Sequence, residues 1–358
     1  MPENQAQGVL PDNAISAMLE AGQITVTEPL PEGQIQPASL DLRLGQTAYR
    51  VRASFLAGNG QSVADRLSEF TMHEMDVSQG AVLEKGCVYV IPLMEGLALP
   101  SDITAVCNAK SSTGRVDCLT RVITDGGVEF DRIPAGYKGP LYAEICPRSF
   151  SVKIAPGLRL NQIRFRRGHA TLSDADLSDR HTETPLVDQP PLIDEGLGFS
   201  VDLAPAEGTL VGYRAKPHAG VIDLTQIGTH PTADFWEELH STNGQIILDP
   251  GAFYILVSRE AVTIPPDCAA EMAPYLAMVG EFRVHYAGFF DPGFGHGVPA
   301  RGVLEVRCHE SPFVLEHGQT VGRLVYERMA AAPTQLYGQD IASNYQGQGL
   351  KLSKHFKL

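Results

Sequence analysis

Apolar residues in this chain come in short runs, and few of them keep a helical period. The segments "CVYVI" (Cys87–Ile91), "FYILV" (Phe253–Val257), "GVLEVRC" (Gly302–Cys308) and "RLVYE" (Arg323–Glu327) are rich in branched and aromatic side chains. Glycine and proline punctuate such runs at the spacing of turns between short strands, which predicts an all-β fold, mainly β with few short helices, of the sandwich or barrel kind. Two stretches read as helices. In "PDNAISAMLEAG", Asp12 is a candidate N-cap, Ile15, Met18 and Leu19 share a face, and Gly22 is a stop; "TADFWEELHS" (Thr232–Ser241) is the second.

The apolar pattern is written twice. "LEKGCVYVIPLMEGLALPSDITA" from Leu83 and "LDPGAFYILVSREAVTIPPDCAA" from Leu248 match over their length, with Pro100 and Pro265 at an offset of 165. "PASLDLRLG" around Asp41 echoes "GFSVDLAPA" around Asp202, and "LYAEICPRSF" with Glu144 echoes "VLEVRCHESPF" with Glu305, both at an offset of 161. Three blocks in order at nearly one spacing predict an internal duplication. Between the copies, "HATLSDADLSDRHTETPLVDQPP" (His169–Pro191) is polar, acidic and ends in proline, so it reads as a linker or long surface loop. The expected division is a first domain over 1–170, a linker over 171–192 and a second domain over 193–358.

Composition narrows the function. With 43% apolar and 20% charged residues the chain can bury a core, and a net charge of −14 argues against a nucleic-acid polymer as partner. No apolar run reaches membrane-spanning length, and "MPENQAQGVLPDN" lacks the pattern of a signal peptide. None of the six cysteines forms a C-x-x-C pair, so they read as reduced core thiols of a cytoplasmic protein.

The copies have not kept the same polar parts. The first holds "NAKSSTGRVD" (Asn108–Asp117), where Lys110, Ser111, Ser112 and Arg115 cluster beside a turn. Hydroxyls, backbone N–H groups and a guanidinium in one turn can grip an anion; read alone, the hexapeptide is also an ordinary polar turn. The second holds "VHYAGFFDPGFG" (Val284–Gly295), read as a hairpin with an Asp-Pro-Gly turn, followed by a strand carrying Glu305. Small and aromatic residues there suit a slot for a flat ring. Beyond Tyr337 the tail is polar and glycine-bearing and contributes little core, which reads either as a frayed terminus or as a lid over a ligand.

Taken together, "NAISAMLEAGQITVTEP", "IQPASLDLRLG", "KSSTGR", "AGFFDPGFG", "GVLEV" and "YGQDIASNYQGQG" resemble the dCTP deaminases of the dUTPase-like superfamily over nearly the whole chain. The resemblance implies two tandem dUTPase-like β-barrel (β-clip) domains. It implies a site shared between two copies of the fold, with one giving the Ser-Ser-x-x-Arg turn and the other the hairpin, a strand Glu and the lid. Ser111, Ser112 and Arg115 then match the phosphate turn, with Lys110 where Arg is usual. Ala287 matches the small residue beside the base, Asp291 the sugar-facing Asp, and Glu305, on the strand with Val303, the catalytic Glu. Tyr337, Asn344 and Gln348 match the lid, with Asn344 where Lys is common. Glu144, the first-copy counterpart of Glu305, is the alternative catalytic residue.

The implied reaction is hydrolysis of dCTP to dUTP and ammonia, supplying dUTP for dTTP synthesis. The H-x-E…P-C-x-x-C signature of zinc deaminases is absent, so no zinc is expected. Glu305 would shuttle the proton, Ser111 and Arg115 would stabilise the reacting centre, and Mg²⁺ would arrive on the triphosphate. The alternatives are a dUTP pyrophosphatase, a bifunctional deaminase and pyrophosphatase, and a non-catalytic nucleotide-binding regulator. Because a ring of three domains cannot alternate two kinds, the expected assembly is one productive site per chain in a monomer or twofold dimer, with higher oligomers left open.

Overall fold

Residues 6–204, 207–274, 282–285, 288–338 and 347–357 are described by the computed structural model of the chain. Strands dominate, and the longest helix among the described residues, Asp174–Glu183, has 10 residues. None of their helices is long and apolar enough to cross a membrane. Alternation drives the pairing: Ile103–Ala109 turns Ile103, Ala105, Cys107 and Ala109 inward while the residues between them are less buried.

The first half is built on two larger sheets. In one, Arg159–Arg167 pairs with both Ser39–Arg43 and Ile103–Ala109. In the other, Lys138–Pro147 lies between Val88–Ala98 and Cys118–Thr124. The second half repeats these pairings. Thr320–Arg328 pairs with Leu197–Ser200 and Cys268–Pro274, and Ala300–Cys308 lies between Phe253–Val262 and Phe282–His285. The register repeats as well: Glu144 faces Val90 as Glu305 faces Ile255. The Tyr89 hydroxyl accepts a hydrogen bond from Glu84 N at 3.1 Å, and the Tyr254 hydroxyl one from Asp249 N at 2.8 Å.

The halves interlock. Ile222–Asp223 of the second half adds in parallel to Val152–Ile154 of the first. Phe235, Trp236, Phe253 and Ile255 join the hydrophobic cluster centred on the first half, and a second cluster fills the other half. Arg164, fully buried, crosses the junction: it donates to Ala270 O at 3.0 Å, pairs with Asp291 at 3.2 Å and Glu327 at 3.4 Å, and lies 4.1 Å from the Phe289 ring centroid.

Four expectations change. The segment read as a linker carries the helix Asp174–Glu183, started by a capping box between Ser173 and Asp176, and it buries Leu177, Leu186 and Val187 in the second core. Those leucines are the signal its polar composition hid. In "TADFWEELHS" only Thr232–Phe235 is helical; Trp236–His240 is a strand paired with Leu210–Ala215, the ladder outweighing local helix preference. Helix Asp12–Glu20 begins one residue earlier than read, with Pro11 at the cap, while the Asp12 carboxylate accepts from Thr334 N at 2.8 Å. The tail is not a coreless lid in its last part: Leu352 and Phe356 are buried in the first cluster, and Phe356 packs edge-on against Phe235 and Trp236. Their two apolar side chains are enough to dock an otherwise polar segment.

Candidate functional site

Ser111–Gly114 forms a single helical turn between the strands Ile103–Ala109 and Cys118–Thr124, with Lys110 at its cap position. The Thr113 hydroxyl donates to Leu160 O at 3.1 Å, fixing the turn to the sheet. Behind it, Asp117 has a φ of 53°, accepts from the Ser149 hydroxyl at 2.5 Å, and pairs with Arg307 of the second half. Arg307 is two residues from Glu305 on the same strand, so this pair fixes one wall against the other.

Opposite the turn stands the segment read as a hairpin. It is not a simple one: Phe282–His285 pairs with the Glu305 strand, whereas Phe289–Phe290 pairs with Cys268–Pro274 in the other sheet. The chain thus changes sheet just before Asp291. The Asp-Pro-Gly turn then follows, with Gly293 at a φ of 92° and the place of a Cβ only 3.1 Å from Tyr337 N. Tyr337 N donates to Pro292 O at 2.9 Å, and the Tyr337 ring lies 5.6 Å from that of Phe294. Gly288 leaves room for Ser111, whose Oγ would be 3.2 Å from an added Cβ.

The two walls enclose a cavity of about 1320 Å³. From the first half it takes Lys110, Ser111, Ser112 and Arg115; from the second Asp291, Val303, Glu305, Tyr337 and Gln348. Phe289, Phe290 and Phe294 add aromatic lining. Ala287 and Asn344 lie outside the described residues.

Glu305 is 5% exposed, with Arg115 Nε 3.9 Å from its Oε1. Burial pushes its carboxyl up to about 8 against the pull of Arg115, and Asp117 adds to the rise. Arg115 donates to Lys351 O and to Gln348 Oε1, each at 3.0 Å, so the tail holds the guanidinium in place. The Asp291 carboxyl is also raised by burial, opposed by Arg164 and Lys110.

Glu144 does not line this cavity. It is 2% exposed, pairs with Arg121, and accepts from the Ser54 hydroxyl at 2.7 Å. The segment that brings Ser54 continues into the helix Val63–Phe70, which packs Val63 and Leu67 beside Val90 and Tyr142. A fold-back of the first half therefore covers the strand that carries Glu144.

Sequence reasoning did not single out Arg164, Arg307, Arg159 or Lys354. Arg159 and Lys354 line the cavity, Arg164 holds its Asp291 from behind, and Arg307 pairs with Asp117 behind the turn. Each draws its meaning from partners far away in the chain. The one available signal was "NQIRFRRG", where Arg164 stands between the apolar Ile163 and Phe165.

Comparison with known proteins gives one direction. Residues 6–169 match the family described as 2'-deoxycytidine 5'-triphosphate deaminase (DCD) N-terminal domain, and residues 173–356 match its C-terminal domain. A dCTP deaminase, dUMP-forming, from Nocardioides sp. is 29% identical over 160 residues, 44% of this chain and 80% of its own length. A dCTP deaminase from Haloarcula marismortui is 30% identical over 162 residues, 44% of this chain and 79% of its own. The crystal structure of 2'-deoxycytidine 5'-triphosphate deaminase from Agrobacterium tumefaciens superposes with a TM-score of 0.88 at 55% identity, covering 90% of this chain and 99% of that one.

Proposed function

The chain belongs to the 2'-deoxycytidine 5'-triphosphate deaminase family, hydrolases of a C–N bond, and from that premise we propose how its cavity carries out the reaction. Water adds to C4 of the cytosine ring and the bond to the exocyclic amine breaks, giving dUTP and ammonia. Glu305 passes one proton of the water to N3 and the second, from the C4 hydroxyl of the tetrahedral intermediate, to the departing amine. A carboxyl titrating near 8 holds both protonation forms near neutrality, as such a shuttle needs. Arg115 positions that carboxyl and stabilises charge, and Ser111 holds the water and the tetrahedral intermediate. Lys110 and Ser112 bind phosphate, Asp291 the sugar, the Val303 strand and Ala287 the base, and Tyr337, Asn344 and Gln348 close over the nucleotide.

The observation that carries this reading is the buried Glu305–Arg115 pair at the wall of a cavity that both halves line. The substrate enters as its Mg²⁺ complex, and the proton shuttle replaces zinc; the absence of the zinc-deaminase signature supports that part. The test is ammonia and nucleotide product analysis on purified enzyme given dCTP and Mg²⁺, with metal analysis of the active protein. Ammonia with dUTP is the expected outcome; no ammonia, or stoichiometric zinc whose removal ends activity, overturns it. A second reading, release of dUMP, is favoured by the names of relatives such as the Nocardioides protein. Pyrophosphate in the same assay would select it, with Asp291 as the residue available to direct water at the α-phosphate.

The architecture belongs to the same proposal. Two dUTPase-like β-barrel domains, meeting near residue 170, descend from one duplicated domain. The repeated register supports this, as do relatives that match under half of this chain but most of themselves. A cytoplasmic setting fits six cysteines that form no disulfide, five of them buried.

A further inference from the structure

One wall of the cavity holds more positive charge than the roles above use. Asp41, 2% exposed, pairs with Lys110 and, at 3.4 Å, with Arg159. Lys354 lines the cavity with these three. Burial lowers its pKa, Lys110 and Arg159 push the same way, and Asp41 opposes them. Three cations therefore gather around Asp41, in a chain whose net charge is −14. A local cluster of cations on a cavity wall suits an anionic group of a ligand.

Lys354 is also fixed in place. Its carbonyl accepts from Gly228 N at 2.9 Å. The preceding Ser353 hydroxyl donates to the carbonyl of Ser112, in the phosphate turn itself, at 2.8 Å. The following His355 is buried, and its carbonyl accepts from Thr229 N and His230 N. Leu352 and Phe356 anchor the segment in the core. The ammonium is thus presented by a docked strap tied to the turn, close enough to Lys110, Asp41 and Arg159 for their charges to act on it.

We propose that Lys354, with Arg159, binds the outer phosphates of the nucleotide and is the residue by which the enzyme distinguishes a nucleoside triphosphate from a monophosphate. The inference rests on the reading that dCTP occupies this cavity. A lysine engages phosphate as a point charge, and a charge-assisted contact of this kind carries about 10- to 100-fold in affinity. Asp41 keeps Lys110 and Arg159 aimed at the same region, so a polyphosphate would complete their pairing.

The experiment compares Lys354→Met and Lys354→Arg with the wild-type chain. Calorimetry with dCTP–Mg²⁺ and with dCMP is run in the Glu305→Gln background to prevent turnover, and steady-state kinetics in the native background. Lys354→Met is expected to weaken dCTP binding about 10- to 100-fold, leave dCMP binding within about twofold, and place its loss on KM. Lys354→Arg recovers most of it. Unchanged dCTP affinity in Lys354→Met sinks the inference, and so does equal weakening of dCTP and dCMP, which would mark a structural residue. An unmodified chain that binds no dCTP would instead remove the substrate assignment, and the inference with it.

Discussion

Arg115 and Glu305 come from opposite halves of the chain, yet Arg115 Nε lies 3.9 Å from Glu305 Oε1 and neither residue is more than 5% exposed. A buried carboxyl beside a guanidinium that Gln348 and Lys351 already hold is kept in one orientation. Its protonation, not its position, is what remains free to change.

Glu305→Gln is expected to lower kcat by about 10²- to 10⁴-fold, the range for a lost general acid–base, with dCTP affinity retained. Glu144→Gln should turn over near the wild-type rate, because Glu144 lies outside the cavity and is engaged by Arg121 and Ser54. A dead Glu144→Gln beside an active Glu305→Gln would reverse the assignment.

The same substitution has a pH signature in stability. The folded protein holds the Glu305 proton up to about pH 8, whereas its ordinary value is 4.5. The wild type therefore loses stability as pH rises from about 4.5 to about 8, while glutamine has no proton to lose. Chemical denaturation should show Glu305→Gln gaining on the wild type across that window, by on the order of a few kcal/mol, and no further above it. A pH-independent difference would mean that Glu305 is not held protonated.

Arg164 tests the junction. Replacing it with methionine strips buried Asp291 of its guanidinium and removes the donor to Ala270 O. A loss of about 3–5 kcal/mol is expected in denaturant unfolding, the scale for breaking a buried pair. Arg164→Lys should not recover it, since one ammonium cannot span the same acceptors. Wild-type stability in Arg164→Met would show the bridge to be idle.

The tail should behave as core. Phe356→Ala is expected to cost about 3–5 kcal/mol and to lower the melting temperature, because Phe356 is 3% exposed among Phe235, Trp236 and His230. A chain ending at Tyr337 should melt early as well as lose activity. Inactivity with an unchanged melting curve would return the tail to the status of a lid.

Ligand stoichiometry tests the assembly. One dCTP per chain is expected in the Glu305→Gln variant, in a monomer or a twofold dimer, since Ser54 and the helix Val63–Phe70 cover the first-half strand. Two equivalent nucleotides per chain would contradict this, and an obligatory trimer would refute the assembly argument alone.

The residues legible in the sequence were those whose meaning is local. Ser111, Ser112 and Arg115 fall within one turn, and Asp291 stands beside the proline and glycine that bend its backbone, so short patterns pointed to them. The strands, too, announce themselves by alternation and by being written twice. Arg164, Arg307 and Lys354 gave no such sign. A charged residue in an apolar strand or a polar tail gains its role from a partner more than a hundred positions away, as Arg307 does from Asp117, and no local rule encodes that pairing. The sheet change before Asp291 was hidden for the same reason: strand partners, not strand residues, decide it.

The cavity takes both its walls from a single chain. Its parts therefore meet by an intramolecular encounter, whose effective concentration is set by the connecting backbone and not by how many molecules surround it. Dilution cannot draw Arg115 away from Glu305. On the proposed site, then, output is expected to scale linearly with the number of chains made, at a handful of copies per cell as at thousands.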